Sequence, residues 1–415
     1  MTPAFRSLRH RNYRLFAAGQ LVSVTGTWMQ RVAQDWLVLE LTNDSGVALG
    51  IATGLQFLPM LLFGLYGGVL ADRYDKRTLI MGTQAAMGVL ALALGALVVS
   101  GEVELWHVYT LALLLGLAAA VEVPARQSFV VEMVGPADLP NAVSLNSATF
   151  NSGRVLGPAV AGVLISQLGT GPVFLLNAAS YLAVLLALSA MRVADLARSE
   201  LVPRRRGQLR EGLAYVRADP ELLLPLVLVA VVGTFGLNFQ VTMALIAKQT
   251  FERGAGAYGL LGTALAAGSL IGALLAASRS SRPRSRTLIG AALAFGVLEI
   301  TVGLMPTYEA FLVMLIPTGI AILTFTTTAN ATVQLGARPD MRGRAMSLYV
   351  LVFLGGTPLG APVIGWIASE FGPRWGLILG GVISIVAAAA VAGAMARVRG
   401  TLPLRGRQLS RTARQ

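Results

Sequence analysis

The sequence predicts an all-α membrane protein of twelve transmembrane helices in two pseudo-symmetric six-helix bundles. Three observations carry this: apolar runs of spanning length, basic residues confined to alternate connections, and a repeat relating the two halves. The chain of 415 residues is 55% hydrophobic and only 13% charged, with a mean hydropathy of +0.68. A soluble domain carries nearer 25% charged residues, so this chain lacks the polar surface to face water on every side.

Runs long enough to cross a hydrocarbon core fall at about 14–40, 47–70, 78–100, 107–125, 141–166 and 171–191. They resume at about 221–246, 256–278, 287–305, 309–332, 344–368 and 373–396. Short connections return each helix beside its neighbour. The division that follows is an N-terminal bundle over 1–191, a linker over 192–220, a C-terminal bundle over 221–396 and a basic tail over 397–415. Within the linker, Leu209, Leu213, Ala214 and Val216 oppose Arg205, Arg210 and Arg217 on a helical period. That pattern fits a short amphipathic helix on the inner leaflet, its basic side chains among anionic headgroups; a solvated linker fits it equally.

A net charge of +13 invites a nucleic-acid partner, and its distribution argues against one. With the N-terminus on side one, 28 of the 33 basic residues lie on that side. Only Lys248, Arg253 and Arg374 lie on the other, while Arg31 and Arg154 fall within spans. The positive-inside rule makes side one cytoplasmic, with both termini inside a cell (inner) membrane. The first apolar run follows a basic arm and lacks a small-residue cleavage site, so it reads as a span rather than a leader.

The two halves are related. Shifted by 203 residues, Ala142, Ser144, Leu145, Phe150, Gly153, Gly157 and Gly162 of the fifth span match Ala345, Ser347, Leu348, Phe353, Gly356, Gly360 and Gly365 of the eleventh. Two parallel copies of a six-span unit imply a cavity at their interface near the bilayer midplane.

Energy and chemistry are narrowed by what the chain lacks. There is no G-x-x-x-x-G-K-[ST] loop, so ATP does not drive it directly and an ion gradient is expected. Cysteines are absent and His10 and His107 are the only histidines, so neither a metal nor another cofactor is expected. No helix face gathers a catalytic set, which disfavours an enzyme. The expected partners are a small-molecule substrate, protons and membrane lipids, with a monomer as the default.

Two motifs bear on mechanism. After the second span, Gly68-x-x-x-Asp72-Arg73-x-x-Lys76-Arg77 resembles the loop signature of the major facilitator superfamily. A glycine there lets helices approach closely, and the aspartate can pair across the half-to-half interface as a cytoplasmic gate. Asp75 stands where the family usually has glycine, and the corresponding loop of the second half, 277–288, lacks the aspartate. In the fifth span, Gly153, Gly157, Pro158 and Gly162 resemble the glycine-proline signature of the superfamily's proton-exchanging exporters. Proline bends a helix and glycines permit close packing.

The stretches FRSLRHRNYRLFAAGQLVSVTGTWMQRVAQDWLVLELT (5–42) and VPARQSFVVEMVGPADLPNAVSLNS (123–147) resemble the enterobactin-exporter and macrolide-efflux branch of drug:proton antiporters. The resemblance implies export of a drug- or siderophore-like amphiphile with proton coupling. A nutrient facilitator and a flippase for lysophospholipid-like amphiphiles remain alternatives on the same fold. The arginine usual in the superfamily's fourth span is absent, and Arg154 is the candidate to stand in for it.

Charges within spans cost several kcal/mol unless paired or hydrated, which singles them out as functional. Arg31 and Asp35 lie four apart on the first span and can pair, and Gln20, Thr27, Gln30 and Gln34 give that span a polar stripe facing the cavity. Asp35 is the first candidate for proton coupling. Glu122, at the inner end of the fourth span, is the second, and a plausible partner for Arg154; Glu299 in the ninth span is a weaker third. Trp28, Phe150, Asn151, Arg154, Tyr181, Asn238, Gln240 and Phe353 complete the expected cavity wall. Few charges and many apolar walls suit an amphipathic solute.

Overall fold

The structure, a computed structural model, describes residues 3–197, 208–277, 285–339 and 341–401. Arg205 of the amphipathic pattern, the basic residues expected in the 277–288 loop at 279, 282 and 284, and the tail from 402 lie outside the described residues. The elements are α1 (Arg11–Leu41), α2 (Gly46–Arg73), α3 (Lys76–Ser100), α4 (Leu105–Leu168), α5 (Thr170–Ser189) and α6 (Gln208–Ala218) in the first part of the chain. They continue with α7 (Pro220–Phe235), α8 (Phe239–Leu245), α9 (Ala255–Ala277), α10 (Ser285–Gly303), α11 (Tyr308–Gly336), α12 (Arg342–Phe371) and α13 (Pro373–Thr401). No strand occurs among the described residues.

Among the described residues, ten helical stretches are long and apolar enough to cross a membrane, counting α4 once and α7 with α8 as one. At 64 residues α4 would extend about 96 Å at 1.5 Å per residue, three times a hydrocarbon core of ~30 Å. It is two spans joined at Gly135, the one residue of non-helical backbone (φ 70°, ψ 171°). The 31-residue α1 is long enough, and its polar stripe is what keeps its hydropathy low. The protein is thus a multi-pass membrane protein with twelve spans.

Two connections differ from the sequence reading. Residues 126–140 read as a loop, yet the helix runs on to Val134 and turns at a single glycine. Glycine takes positive φ without steric cost, and Pro136 then opens the second arm where its missing N–H is harmless. The seventh span reads as unbroken, yet it parts at Gly236–Asn238 between α7 and α8 and widens into a π turn over Ile246–Thr250. Asn238 donates from Nδ2 to the Thr234 carbonyl at 2.6 Å, covering one acceptor freed by the break.

The matched glycines have matched partners. Gly153 and Gly157 lie against Thr25 and Trp28 of α1, while Gly356 and Gly360 lie against Gly233 and Thr234 of α7, the first span of the other half. Gly162 meets Gly256 of α9, while Gly365 meets Gly46 of α2, so each half's fifth span packs on the other half's second. A Cβ at these positions would run into neighbouring backbone, which is why small residues repeat there.

The basic face is tied down locally. The N-terminal 3-10 helix Pro3–Arg9 folds onto α4 just past Gly135: Arg6 Nε lies 2.6 Å from Asp138, and the Arg9 guanidinium and His10 Nε2 each lie 2.7 Å from it. The His10 hydrogen bond, with Arg6 and Arg9 beside it, holds the Asp138 carboxyl below the usual aspartate range against the opposing effect of desolvation. In the signature loop, Asp75 accepts from the Thr78 N–H at 2.8 Å and caps α3 at φ −57°, so this turn needs no glycine. Lys76 pairs with Glu132 at 2.6 Å and Arg77 donates to the Leu188 carbonyl at 2.8 Å, both within the first half. Asp72 and Gly68 are half-buried and Arg73 is exposed. Gly67, beside Gly68, makes the close approach to α4, at the Ala120 carbonyl. The linker helix α6 packs on α7 and α12, with Val216 buried, Glu211 on Arg344 at 2.7 Å and the Tyr215 hydroxyl accepting from the Arg338 N–H at 3.0 Å. Leu213 and Ala214 of its apolar pattern remain exposed beside the buried Val216.

Candidate substrate cavity and interfacial carboxylate

A cavity of about 780 Å³ lies inside the first bundle, with Leu354 its one wall residue from the second half. From α1 it takes Gln20, Ser23, Thr27, Trp28, Gln30 and Arg31, the polar stripe of a 3.6-residue period. Opposite them stand Gln56 and Phe57 of α2, Gln84 of α3, Glu122, Arg126, Asn146, Phe150 and Asn151 of α4, and Tyr181 of α5. The deep end is aromatic: Trp28 meets Phe150 edge-on at 5.8 Å. The other end, at Arg126, Gln127 and Asn146, faces the side that carries the termini.

Charge in this cavity is unevenly satisfied. Glu122 pairs with Arg126 at 2.8 Å and accepts from Gln84 at 3.3 Å. That pairing corrects the sequence expectation of a Glu122–Arg154 partnership: the i,i+4 neighbour on the same helix is nearer. The Arg31 guanidinium carbon sits 4.5 Å from the Trp28 ring centroid and 5.4 Å from that of Phe57. Its Nε is buried without a hydrogen-bond partner. Arg154 approaches the same Trp28 ring at 5.9 Å without lining the cavity.

Asp35 is placed differently from its sequence neighbour. It is fully buried, its Oδ1 accepting from Gln240 Nε2 at 2.9 Å and its Oδ2 from the Tyr258 hydroxyl at 2.6 Å. No ion pair joins it to Arg31, contrary to the sequence expectation. They share a helix face about 6 Å apart along the axis, so that Arg31 stands at the cavity while Asp35 stands at the level where the second bundle closes on α1. Around Asp35 the halves close: Trp36 stacks on Tyr258 at 6.4 Å, and Lys248 pairs with Asp44 at 2.6 Å. Gly50 lies against the Ala361 carbonyl and Gly46 against that of Gly365. The cavity is therefore shut at this face and reached from the basic one.

Besides Arg154, four expected cavity residues lie elsewhere. Gln34 is fully buried outside it, with neither side-chain polar atom partnered. Asn238 serves the helix break, Gln240 serves Asp35, and Phe353 stacks on Tyr349 at 5.9 Å. Conversely, Tyr258, Gln56, Phe57 and Gln84 were not singled out from the sequence. Tyr258 carried a signal, as a lone phenol in the glycine- and alanine-rich run 254–269. Pro158 leaves the Arg154 carbonyl without a helical N–H, and the Thr263 hydroxyl donates to the adjacent Val155 carbonyl at 3.2 Å. Among the described residues no cluster of His, Cys, Asp and Glu could hold a metal.

A family model described as transmembrane secretion effector matches residues 2–404. The chain belongs to this family of major facilitator transporters. As a transmembrane secretion effector it is a transporter of small molecules and not an enzyme. It is 29% identical to the multidrug efflux pump Tap of Mycolicibacterium fortuitum over 370 residues, 86% of this chain and 89% of that one. It is 22% identical to macrolide efflux protein A of Streptococcus pyogenes, over 89% of this chain and 92% of the relative. The staphyloferrin A transporter of Staphylococcus aureus is 31% identical over 177 residues, 42% of this chain and 44% of that one. The nucleoside transporter NupG superposes with a TM-score of 0.75 at 12% identity, over 92% of this chain and 98% of its own. A bacterial homologue of the lysosomal transporter Spinster gives 0.73 at 17% identity over 93% and 97%. At these identities the two structures speak to the fold alone.

Proposed function

We propose that this protein exports a small amphipathic organic molecule, drug- or siderophore-like, across the cytoplasmic membrane by proton antiport. The two six-helix bundles alternate access to the cavity as a monomer, with both termini in the cytoplasm, so that the arrangement described is open to the inside. The excess of basic residues on the terminal side supports that orientation. The efflux relatives support the direction of transport.

The observation that carries the coupling is Asp35. Its two hydrogen bonds run from the first bundle to donors on the second, on the side that is closed. When the bundles part there, Asp35 exchanges both partners for water. A group whose surroundings differ between two states binds its proton with different affinity in each, so a proton gradient biases the equilibrium between them. Arg31, one turn away on the cavity wall, supports a substrate site next to the coupling site. Glu122, bound to Arg126 at the inner end of the cavity, is a second titratable group on the path. Asp72 and Arg73 serve the cytoplasmic gate, and Gly157 with Pro158 the articulation of the fifth span. Substrate-dependent proton movement by the purified protein in liposomes tests this reading.

A further inference from the structure

We infer that the molecule this cavity receives is an anion, an amphipathic carboxylate whose head group lies at Arg31 beside Trp28, with Arg154 adding positive charge around the same ring from outside the wall. This rests on the reading of the cavity as the substrate site. The charged residues of the wall are Arg31, Arg126 and Glu122. Glu122 and Arg126 neutralise each other at 2.8 Å, which leaves Arg31 as the wall charge without an ion-pair partner among the described residues; Asp35, one turn away and outside the wall, acts on it only through space. Arg154 adds a second positive charge around the same indole, the two guanidinium carbons lying 4.5 and 5.9 Å from its centroid. Neither arginine forms an ion pair with a described residue.

Two like charges held around one ring repel each other, and each is half-buried and so has lost part of its hydration. The faces of Trp28 and Phe57 compensate Arg31 only in part. Its buried Nε still lacks an acceptor. Asp35, the acid on the same helix that could have served, is committed to Tyr258 and Gln240. A carboxylate entering from the mouth would supply the missing acceptor and relieve the repulsion, while Trp28, Phe57 and Phe150 receive its apolar body. A cationic amphiphile would meet the same field with the opposite sign. Exporting an anion against incoming protons also moves positive charge inward on both legs, so the membrane potential assists it.

The test uses three fluorescent probes on one skeleton: pyrenebutyrate, pyrenebutanol and pyrenebutyl-trimethylammonium. Their binding is measured on full-length purified protein, as wild type, Arg31→Gln, Arg31→Lys and Arg154→Gln. The wild type should prefer the carboxylate over the alcohol by roughly tenfold or more and bind the ammonium weakest. Arg31→Gln should lose most of that preference, Arg154→Gln part of it, and Arg31→Lys should retain more than Arg31→Gln. Alcohol or ammonium bound as tightly as carboxylate would overturn the anion while leaving amphiphile export standing. A carboxylate preference intact in both glutamine variants would overturn it as well. Failure of the wild type to bind any of the three would tell against the export reading of the cavity itself.

Discussion

The Tyr258 hydroxyl donates to Oδ2 of Asp35 at 2.6 Å, joining α9 of the second bundle to α1 of the first across 223 residues of sequence. Gln240 adds a second bond to the other oxygen at 2.9 Å. The shut face of the transporter is thus fastened partly through an acid. Tyr258→Phe removes one donor and keeps the ring that stacks on Trp36. A net hydrogen bond contributes about 0.5–1.5 kcal/mol, so the variant should shift the two-state equilibrium toward opening at this face by roughly two- to tenfold. The chain has no cysteines. Spin labels on Ser166→Cys and Glu309→Cys can therefore report the distance, and Tyr258→Phe should increase the long-distance population.

Gly50 of α2 lies against the Ala361 carbonyl of α12, where a Cβ would clash with backbone. Gly50→Leu should hold the bundles apart at this face and abolish transport, while protein still reaches the membrane. The same label pair should then report the long distance alone. Gly82 has open space at its Cβ position, so Gly82→Leu should behave as wild type.

The fold and its spans are legible because twelve apolar runs and a 203-residue repeat are properties of the chain itself. The glycine matches even carried their packing, since Gly157 and Gly360 serve equivalent first spans. The site was half legible. A helical period places Gln20, Thr27, Gln30 and Arg31 on one face, and that face does line the cavity. Four residues of spacing permit an Arg31–Asp35 contact without requiring it, and two donors from the other half decide where Asp35 hydrogen-bonds. Tyr258 and Gln240 lie more than 200 residues away, and no local pattern connects them to Asp35. The single-residue turn at Gly135 was missed because helical runs on either side of one glycine look like a long loop when prolines are frequent.

Asp138 makes the N-terminal arm pH-sensitive. Its folded value is depressed, chiefly by the His10 hydrogen bond and then by Arg6 and Arg9. For a depressed carboxyl the stabilisation is complete above the ordinary aspartate value of about 4 and is lost as pH falls through the lowered folded value. Asp138→Asn should therefore lower the melting temperature of detergent-solubilised protein at neutral pH. The gap between variant and wild type should narrow as the medium is acidified below that range.

Glu299 is buried in α10 with Oε2 unpartnered, beside Gly380 of α13 and away from the cavity wall. Glutamine keeps its shape and removes its charge. Glu299→Gln should transport and couple as the wild type does, whereas Glu299→Ala leaves a void and should lower thermal stability by about 1–3 kcal/mol. Loss of proton coupling in Glu299→Gln would move the coupling site into the second bundle.

Proton antiport through Asp35 is tested most directly by proton flux in liposomes carrying the purified protein under an imposed pH gradient, with amphiphile added, for wild type and Asp35→Asn. Asparagine can still accept from Tyr258 but cannot carry a proton. Antiport requires amphiphile-dependent proton flux in the wild type and its disappearance in Asp35→Asn. Amphiphile movement indifferent to the pH gradient, with Asp35→Asn as active as the wild type, would contradict it and leave a facilitator or flippase on the same fold.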